Sequence, residues 1–219
     1  MSDRAIDDAS AATPGPRPRV FAVDDDPTAR AYVRAALARL EIDLRLSADA
    51  RSFRAMRSQD AADLCIIDVD LPDCAGHQLA EEIGAAGEPM VFFSVHDCPR
   101  SRLKALEAGA LEYLVKPLCP HEFMLRIANI LGQTRRNAVR VGATARAFAG
   151  VRFDPRQRSL ENGAAAARLT ASECLVMEML TESPDRTIGR EAIGARLGPG
   201  GAARDPRIVD VLNHRLRRK

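Results

Sequence analysis

The 219-residue sequence lacks any apolar run long enough to cross a membrane, which excludes an integral helical membrane protein. Its first eighteen residues hold Asp3, Asp7, Asp8 and TPGPRP but no apolar core, so a secretory signal is not expected there. A loose tail over 1–18 of a cytoplasmic protein is expected instead. Five cysteines (Cys65, Cys74, Cys98, Cys119, Cys174) show neither CxxC nor Cys/His ligand spacing. Reduced thiols are therefore the default, and a structural zinc is not expected. Lysine is scarce: Lys104, Lys116 and Lys219 are the only ones in a chain that otherwise uses arginine.

What is present divides in two. Residues 19–133 carry 13 basic and 18 acidic side chains, net −5, whereas 134–219 carry 17 basic and 9 acidic, net +8. An acidic front and a basic back imply two jobs, the second facing a polyanion. The length also suits two domains, each with its own core.

The front half is organised around LCIIDVDLPDCAG, residues 64–76. Four unbroken apolar residues running into Asp68 read as a strand buried on both faces, at whose carboxyl end open α/β sheets place their chemistry. Asp68 alone could be a phosphate acceptor, a metal ligand or a turn residue. Similar runs end at Asp24-Asp25-Asp26, at Ser94 and at Lys116-Pro117, with amphipathic stretches between them. Among these, Leu103, Leu106 and Ala110 mark a helix stopped at Gly109, and the last helix is predicted to close at Gly132. Five strand-helix repeats call for a parallel sheet covered on both faces.

The strand ends bring together Asp24, Asp25, Asp68, Ser94 and Lys116. Carboxylates from neighbouring strands suit Mg²⁺, and a hydroxyl and an ammonium suit the oxygens of a transferring phosphoryl group. Taken singly, the acids could be a capping turn, Ser94 a loop hydroxyl and Tyr113 a half-buried strand residue. Taken together they form a complement that independent strands rarely share.

VDDD, IIDVDLPDCAG, FFS and the Ala-Gly-Ala…Tyr-Leu-Val-Lys-Pro segment resemble, in order, the receiver domain of two-component response regulators. The resemblance covers 19–133 and implies a flavodoxin-like (βα)5 fold. It further implies that Asp68 accepts phosphate from a sensor histidine kinase, and that Asp24, Asp25, Asp68 and the Asp70 carbonyl hold Mg²⁺. Lys116 and Ser94 would contact the phosphoryl group, Ser94 and Tyr113 would form the switch pair, and Pro117 would follow a cis peptide bond. Homodimerisation on phosphorylation would use Arg102, Glu112, Glu122 and Arg126, with Leu111 replacing a usual Asp. The resemblance points to a signalling protein rather than an enzyme. The haloacid-dehalogenase phosphatases also have an Asp-X-Asp strand, but theirs comes first and their metal-binding acids last, the reverse of the order here. Cys74, Cys98 and Cys119 each follow a strand end and are expected on loops near the acidic pocket, with Cys65 buried.

Residues 134–147 are basic and aperiodic and read as a linker. The segment 148–219 shows weakly alternating stretches separated by DPRQ and ENG, which predict a small antiparallel sheet. A capping box follows, Thr170-Ala-Ser-Glu173, opening a helix with Leu175, Val176, Met179 and Leu180 on its core face. A shorter helix over 191–197, a mobile GPGGAARDP loop and a last helix over 208–219 complete the chain. RLTASE, Arg190-Glu191 and Arg207-Ile-Val-Asp-Val…Arg-Leu-Arg-Arg-Lys resemble the winged-helix effector domain of the OmpR/PhoB subfamily. That implies an α+β domain binding double-stranded DNA through Arg207, Arg215, Arg217, Arg218 and Lys219. Two departures stand out: Leu212-Asn213 replaces the usual His-Ile, and the sequence ends before a wing hairpin. The expectation is either a sequence cut short of its wing, or an output of weakened, mainly non-specific DNA binding or of protein contact.

Overall fold

The structure, a computed structural model, describes residues 16–140, 145–148, 150–163, 165–182, 184, 186–197 and 206–219, with the backbone alone for 136–140 and 206–208. Most of the expected tail, residues 141–144 of the expected linker and 198–205 of the expected loop lie outside the described residues.

Apolar runs become strands where predicted. β1 (Arg19–Val23), β2 (Asp43–Ser47), β3 (Leu64–Ile67), β4 (Met90–Ser94) and β5 (Glu112–Val115) form one parallel sheet in the order β2-β1-β3-β4-β5. Alternate residues feed two cores, as the period of a strand requires. Phe21, Cys65, Ile67, Met90 and Phe92 point to one face, where Phe53 of α2 (Ala50–Gln59) and Leu79 and Ile83 of α3 (Gly76–Ala85) cover them. Val20, Leu64, Ile66, Val91 and Phe93 point to the other, beneath Val33 and Leu37 of α1 (Pro27–Leu37) and Phe123 and Ile127 of α5 (Pro120–Arg140). Fully burying each such side chain contributes about 1.5–3 kcal/mol.

Asp26 caps α1 by accepting the N–H groups of Thr28 (2.8 Å) and Ala29 (3.3 Å), and Pro27 takes the first helical position, where no N–H is needed. The Lys116–Pro117 peptide is cis, as the resemblance implied. Helix α5 does not close at Gly132 but runs on to Arg140, through part of the expected linker. One glycine costs only about 1 kcal/mol against alanine, and the helix-compatible residues after it carry the helix onward.

Helix α4 (Pro99–Glu107) departs from its expected face. Ala105 enters the receiver core, Leu103 is exposed, and Leu106 packs into a different core altogether. That second core belongs to the carboxyl-terminal unit. There β6 (Arg146–Phe148), β7 (Val151–Asp154), β8 (Ser159–Asn162) and β9 (Ala165–Arg168) make an antiparallel sheet in chain order, followed by α6 (Ala171–Glu182), α7 (Arg190–Leu197) and α8 (Pro206–Leu216). The capping box is present: Glu173 Oε2 accepts the Thr170 N–H at 2.8 Å, and Thr170 Oγ1 accepts the Glu173 N–H at 3.3 Å. On α6, Cys174, Leu175, Val176 and Met177 are buried whereas Leu180 is exposed, because the sheet and the two following helices cover α6 from different sides. Val209 and Leu212 turn inward from α8, so the residue at the first of the two exchanged positions is the core one.

The two units touch at the amino-terminal ends of the parallel strands. Leu106 meets the α6–α7–α8 core, and the Gly109 Cα faces Thr170 so closely that a Cβ there would stand 2.5 Å from Thr170 Cγ2. Arg158 Nη1 donates to the Gly87 carbonyl.

Candidate functional site

The site is assembled at the opposite, carboxyl-terminal ends of β1, β3, β4 and β5. Because β1 and β3 are paired in register from Val20 and Leu64, the residues that follow them, Asp24 and Asp68, emerge side by side. The carboxylate oxygens of Asp24, Asp25 and Asp68 all lie within 4.8 Å of one another, Asp24 and Asp68 buried and Asp25 exposed. Lys116 Nζ donates to Asp24 Oδ2 at 2.6 Å and to Asp68 Oδ1 at 2.9 Å, and lies 5.2 Å from the centre of the Phe93 ring. Burial raises the Asp24 pKa, outweighing the lowering by Lys116, while Asp68 adds to the rise. Burial alone would lower Lys116, but its hydrogen bonds to Asp24 and Asp68 prevail and hold it charged.

The backbone around these acids is fixed by close contacts. Arg30 Nη1 donates to the carbonyls of Asp24 (2.7 Å) and Asp25 (2.8 Å). The Asp70 N–H donates to Asp68 Oδ2 at 2.9 Å, and the Gly76 N–H to the Val69 carbonyl at 2.8 Å. Ser94 is fully buried at the end of β4, and its Oγ accepts the His96 N–H at 3.3 Å. The Tyr113 ring stacks on Phe92, and its hydroxyl donates to the His96 carbonyl at 2.7 Å, so Ser94 and Tyr113 meet through one loop.

His96 itself was not anticipated. Its Nε2 lies 2.6 Å from Asp70 Oδ2, and that hydrogen bond, more than the charge of Asp70, raises the imidazole pKa above 6.5. The signal was available: Asp70 and His96 each stand two residues beyond a site residue on adjacent, paired strands. Asp73 was also missed; it accepts the Ala50 and Arg51 N–H groups at 2.9 and 2.8 Å and so caps α2 from the β3–α3 loop.

The other expected site residues are less closely gathered. Arg126 pairs within its own chain, with Glu122 at 2.7 Å and with Glu112, and Arg102 pairs with Asp97. Leu103 and Leu125 are exposed on the same two helices, α4 and α5. Arg215 of α8 lies 2.9 Å from Oε1 of the fully buried Glu173, and Lys219, just past α8, lies 2.8 Å from its Oε2. Arg217 and Arg218 face solvent, and the side chain of Arg207 lies outside the described residues. Cys98 and Cys119 are exposed and Cys74 is half-buried, whereas Cys65 is buried and desolvation pushes its thiol pKa well up.

Two neighbouring strands thus deliver three carboxylates to one pocket, two of them bound to Lys116, with Ser94 and Tyr113 from the next two strands beside it. The family described as the response regulator receiver domain matches residues 20–128. Protein PetR of Rhodobacter capsulatus is 31% identical over 208 residues, 92% of this chain and 87% of PetR. The chain belongs to the response regulators. Response regulator MprA of Mycobacterium leprae is 29% identical over 177 residues, 80% of this chain and 77% of MprA. Transcriptional regulatory protein PcoR of Escherichia coli is 28% identical over 203 residues, 92% of this chain and 88% of PcoR. The solved structure of a RitR mutant shares the fold over 92% of this response regulator and 90% of its own chain, with a TM-score of 0.81 at 19% identity. No helix among the described residues is long and apolar enough to cross a membrane.

Proposed function

We propose that this response regulator takes a phosphoryl group on Asp68 from a sensor histidine kinase and thereby controls dimerisation and binding to double-stranded DNA. An Asp68 carboxylate oxygen attacks phosphorus, the phosphorus–nitrogen bond of the donor phosphohistidine breaks, and the electron pair leaves on the imidazole, which takes up a proton. The observation that carries the reading is Lys116, whose Nζ bridges Asp24 and Asp68 at 2.6 and 2.9 Å. A compact ammonium at that point is placed to neutralise charge developing on a phosphoryl oxygen.

The donor set fits Mg²⁺: three carboxylates with oxygens within 4.8 Å, one of them exposed, suit a hard cation that keeps several waters. Asp24, Asp25 and Asp68, joined by the Asp70 carbonyl, would hold it, and when bound it supplies charge neutralisation for the phosphoryl oxygens. Ser94 donates to one phosphoryl oxygen once its hydroxyl turns from the His96 N–H, and Tyr113, tied to the same loop, follows that movement. The face bearing Arg102, Glu112, Glu122 and Arg126 serves the homodimer, with the paired charges available for exchange between protomers. Arg207, Arg217 and Arg218 serve DNA phosphates, joined by Arg215 and Lys219 when Glu173 releases them.

Incubation with acetyl phosphate and Mg²⁺ followed by intact-mass measurement tests the reading. One labile phosphoryl group is expected on the native chain and none on Asp68→Asn. An Asp68→Asn protein labelled as fully as the native one would overturn it, and turnover of small phosphate esters would favour the haloacid-dehalogenase reading.

The engagement of Arg215 and Lys219 by Glu173, with α8 resting on α4, favours a second reading in which the carboxyl-terminal unit acts through protein contact. Its mark would be phosphorylation-dependent partner binding without a change in DNA affinity.

A further inference from the structure

At the end of the parallel sheet remote from Asp68, a cavity of about 250 Å³ opens between the two units. Its receiver wall comes from the loops before β3 and β4 and from α5, and its other wall from the β7–β8 turn and the end of β9. Four arginines line it: Arg135, Arg156, Arg158 and Arg168. The two acids on the wall, Asp63 and Glu88, already have partners. Asp63 accepts the Arg19 N–H at 2.7 Å, and Glu88 pairs with Arg57 at 2.8 Å.

Of these, Arg135, Arg158 and Arg168 have no carboxylate within ion-pair distance among the described residues. Arg158 donates to the Gly87 carbonyl and Arg135 to the Pro16 carbonyl at 2.6 Å, and the Arg168 side chain makes no hydrogen bond or ion pair among the described residues. Desolvation pulls the Arg158 pKa below the ordinary arginine range, with Glu178 and Glu88 only partly opposing it through space. Arg158 is also the single non-glycine residue at positive φ among the described residues, at 49°. A glycine or asparagine would sit there without strain, yet the position carries a long cation aimed into the cleft. Gathering like charges into a half-enclosed space is unfavourable unless an anion completes it, and forked guanidiniums match phosphate oxygens in pairs.

We propose that this cleft binds a compact phosphate polyanion of the pyrophosphate class, free or as the end of a nucleoside diphosphate, held by Arg135, Arg158 and Arg168. Such an anion would tie the receiver and effector units together. A cavity of about 250 Å³ suits a compact anion rather than a duplex.

Calorimetric titration of the full chain, carrying Asp68→Asn and without divalent metal so that the acidic pocket is silent, tests the site with inorganic pyrophosphate, ADP and citrate. Saturable binding of pyrophosphate is expected. Arg158→Gly, which suits the positive φ, and Arg168→Gln, which leaves the Arg158–Gly87 bond in place, should each weaken it about tenfold with the far-ultraviolet spectrum unchanged. ADP binding as tightly as pyrophosphate would assign the diphosphate end of a nucleotide, and pyrophosphate alone would assign the free anion. No saturation by either below about 1 mM, the unmutated affinity kept in both variants, or citrate binding as tightly as pyrophosphate would overturn the assignment.

Discussion

Gly76 lies directly against the carbonyl of Asp68: a Cβ at that glycine would sit inside the van der Waals envelope of the Asp68 oxygen and 3.0 Å from the Val69 Cα. The first turn of α3 therefore sets the height at which the Asp68 side chain stands, through backbone contact rather than through any side-chain bond. Gly76→Ala should destabilise the chain by about 2 kcal/mol, by overpacking. It should also slow acetyl-phosphate labelling of Asp68 beyond what the stability loss explains. Urea unfolding alongside intact-mass kinetics checks both, and a stable variant labelled at the native rate would show that the contact is slack.

Lys116 separates two buried carboxylates, and removing it leaves them facing each other. Lys116→Ala should cost about 3 kcal/mol at neutral pH. A carboxylate whose folded pKa lies above its unfolded value binds its proton more readily when folded, so the deficit should shrink as pH falls through the raised Asp24 pKa. Mg²⁺ should narrow the same deficit at neutral pH, since a cation that binds only the folded state stabilises it. Thermal melting across pH, with and without Mg²⁺ and then with chelator, measures each effect.

The Asp70–His96 pair predicts a histidine that titrates above 6.5. Raised in the folded state, it contributes stability that is fully present below the unfolded pKa and is lost as pH rises through the folded one. An imidazole titration followed by nuclear magnetic resonance should show the His96 value falling toward 6.5 in Asp70→Asn. An unmoved value would mean that the two side chains do not pair in solution.

Glu173 holds two cations that could otherwise meet DNA. Glu173→Gln keeps an acceptor for the Thr170 N–H while removing the charge that binds Arg215 and Lys219. The log–log salt dependence of duplex binding should steepen by about 0.9 for each cation that then reaches a phosphate. Gel-shift titrations at several salt concentrations measure the slope, and an unchanged slope would confine DNA contact to the remaining arginines.

Much of the receiver could be read directly because its information is local. Val20–Val23, Leu64–Ile67 and Met90–Phe93 are apolar on both faces, and each ends in the side chain that the sheet presents. Helix starts were legible at Asp26 and Thr170, where the capping side chain directly precedes the helix it caps. What escaped was set by distant partners. Leu106 has the spacing of a receiver-core residue, but the helix that buries it is about a hundred residues further along the chain. Arg215 and Lys219 read as solvent-facing cations because nothing nearby in sequence announces Glu173 beneath them. The His96–Asp70 contact needed the register of two strands before either residue could be matched with the other. Gly132 does not end α5, since continuation of a helix depends on the turns either side of a glycine.

The tight seat of Thr170 against Gly109 also bears on how freely such modules can be exchanged. Gly109 has a φ of +96°, and its missing side chain is what lets the first cap of the effector reach the receiver. A chimera joining this receiver to another output unit would inherit a notch cut for one threonine, and a transplanted effector would meet whatever side chain replaced the glycine. The two positions should therefore change together among functional hybrids, making the pair a molecular record of which receiver and effector have travelled as one.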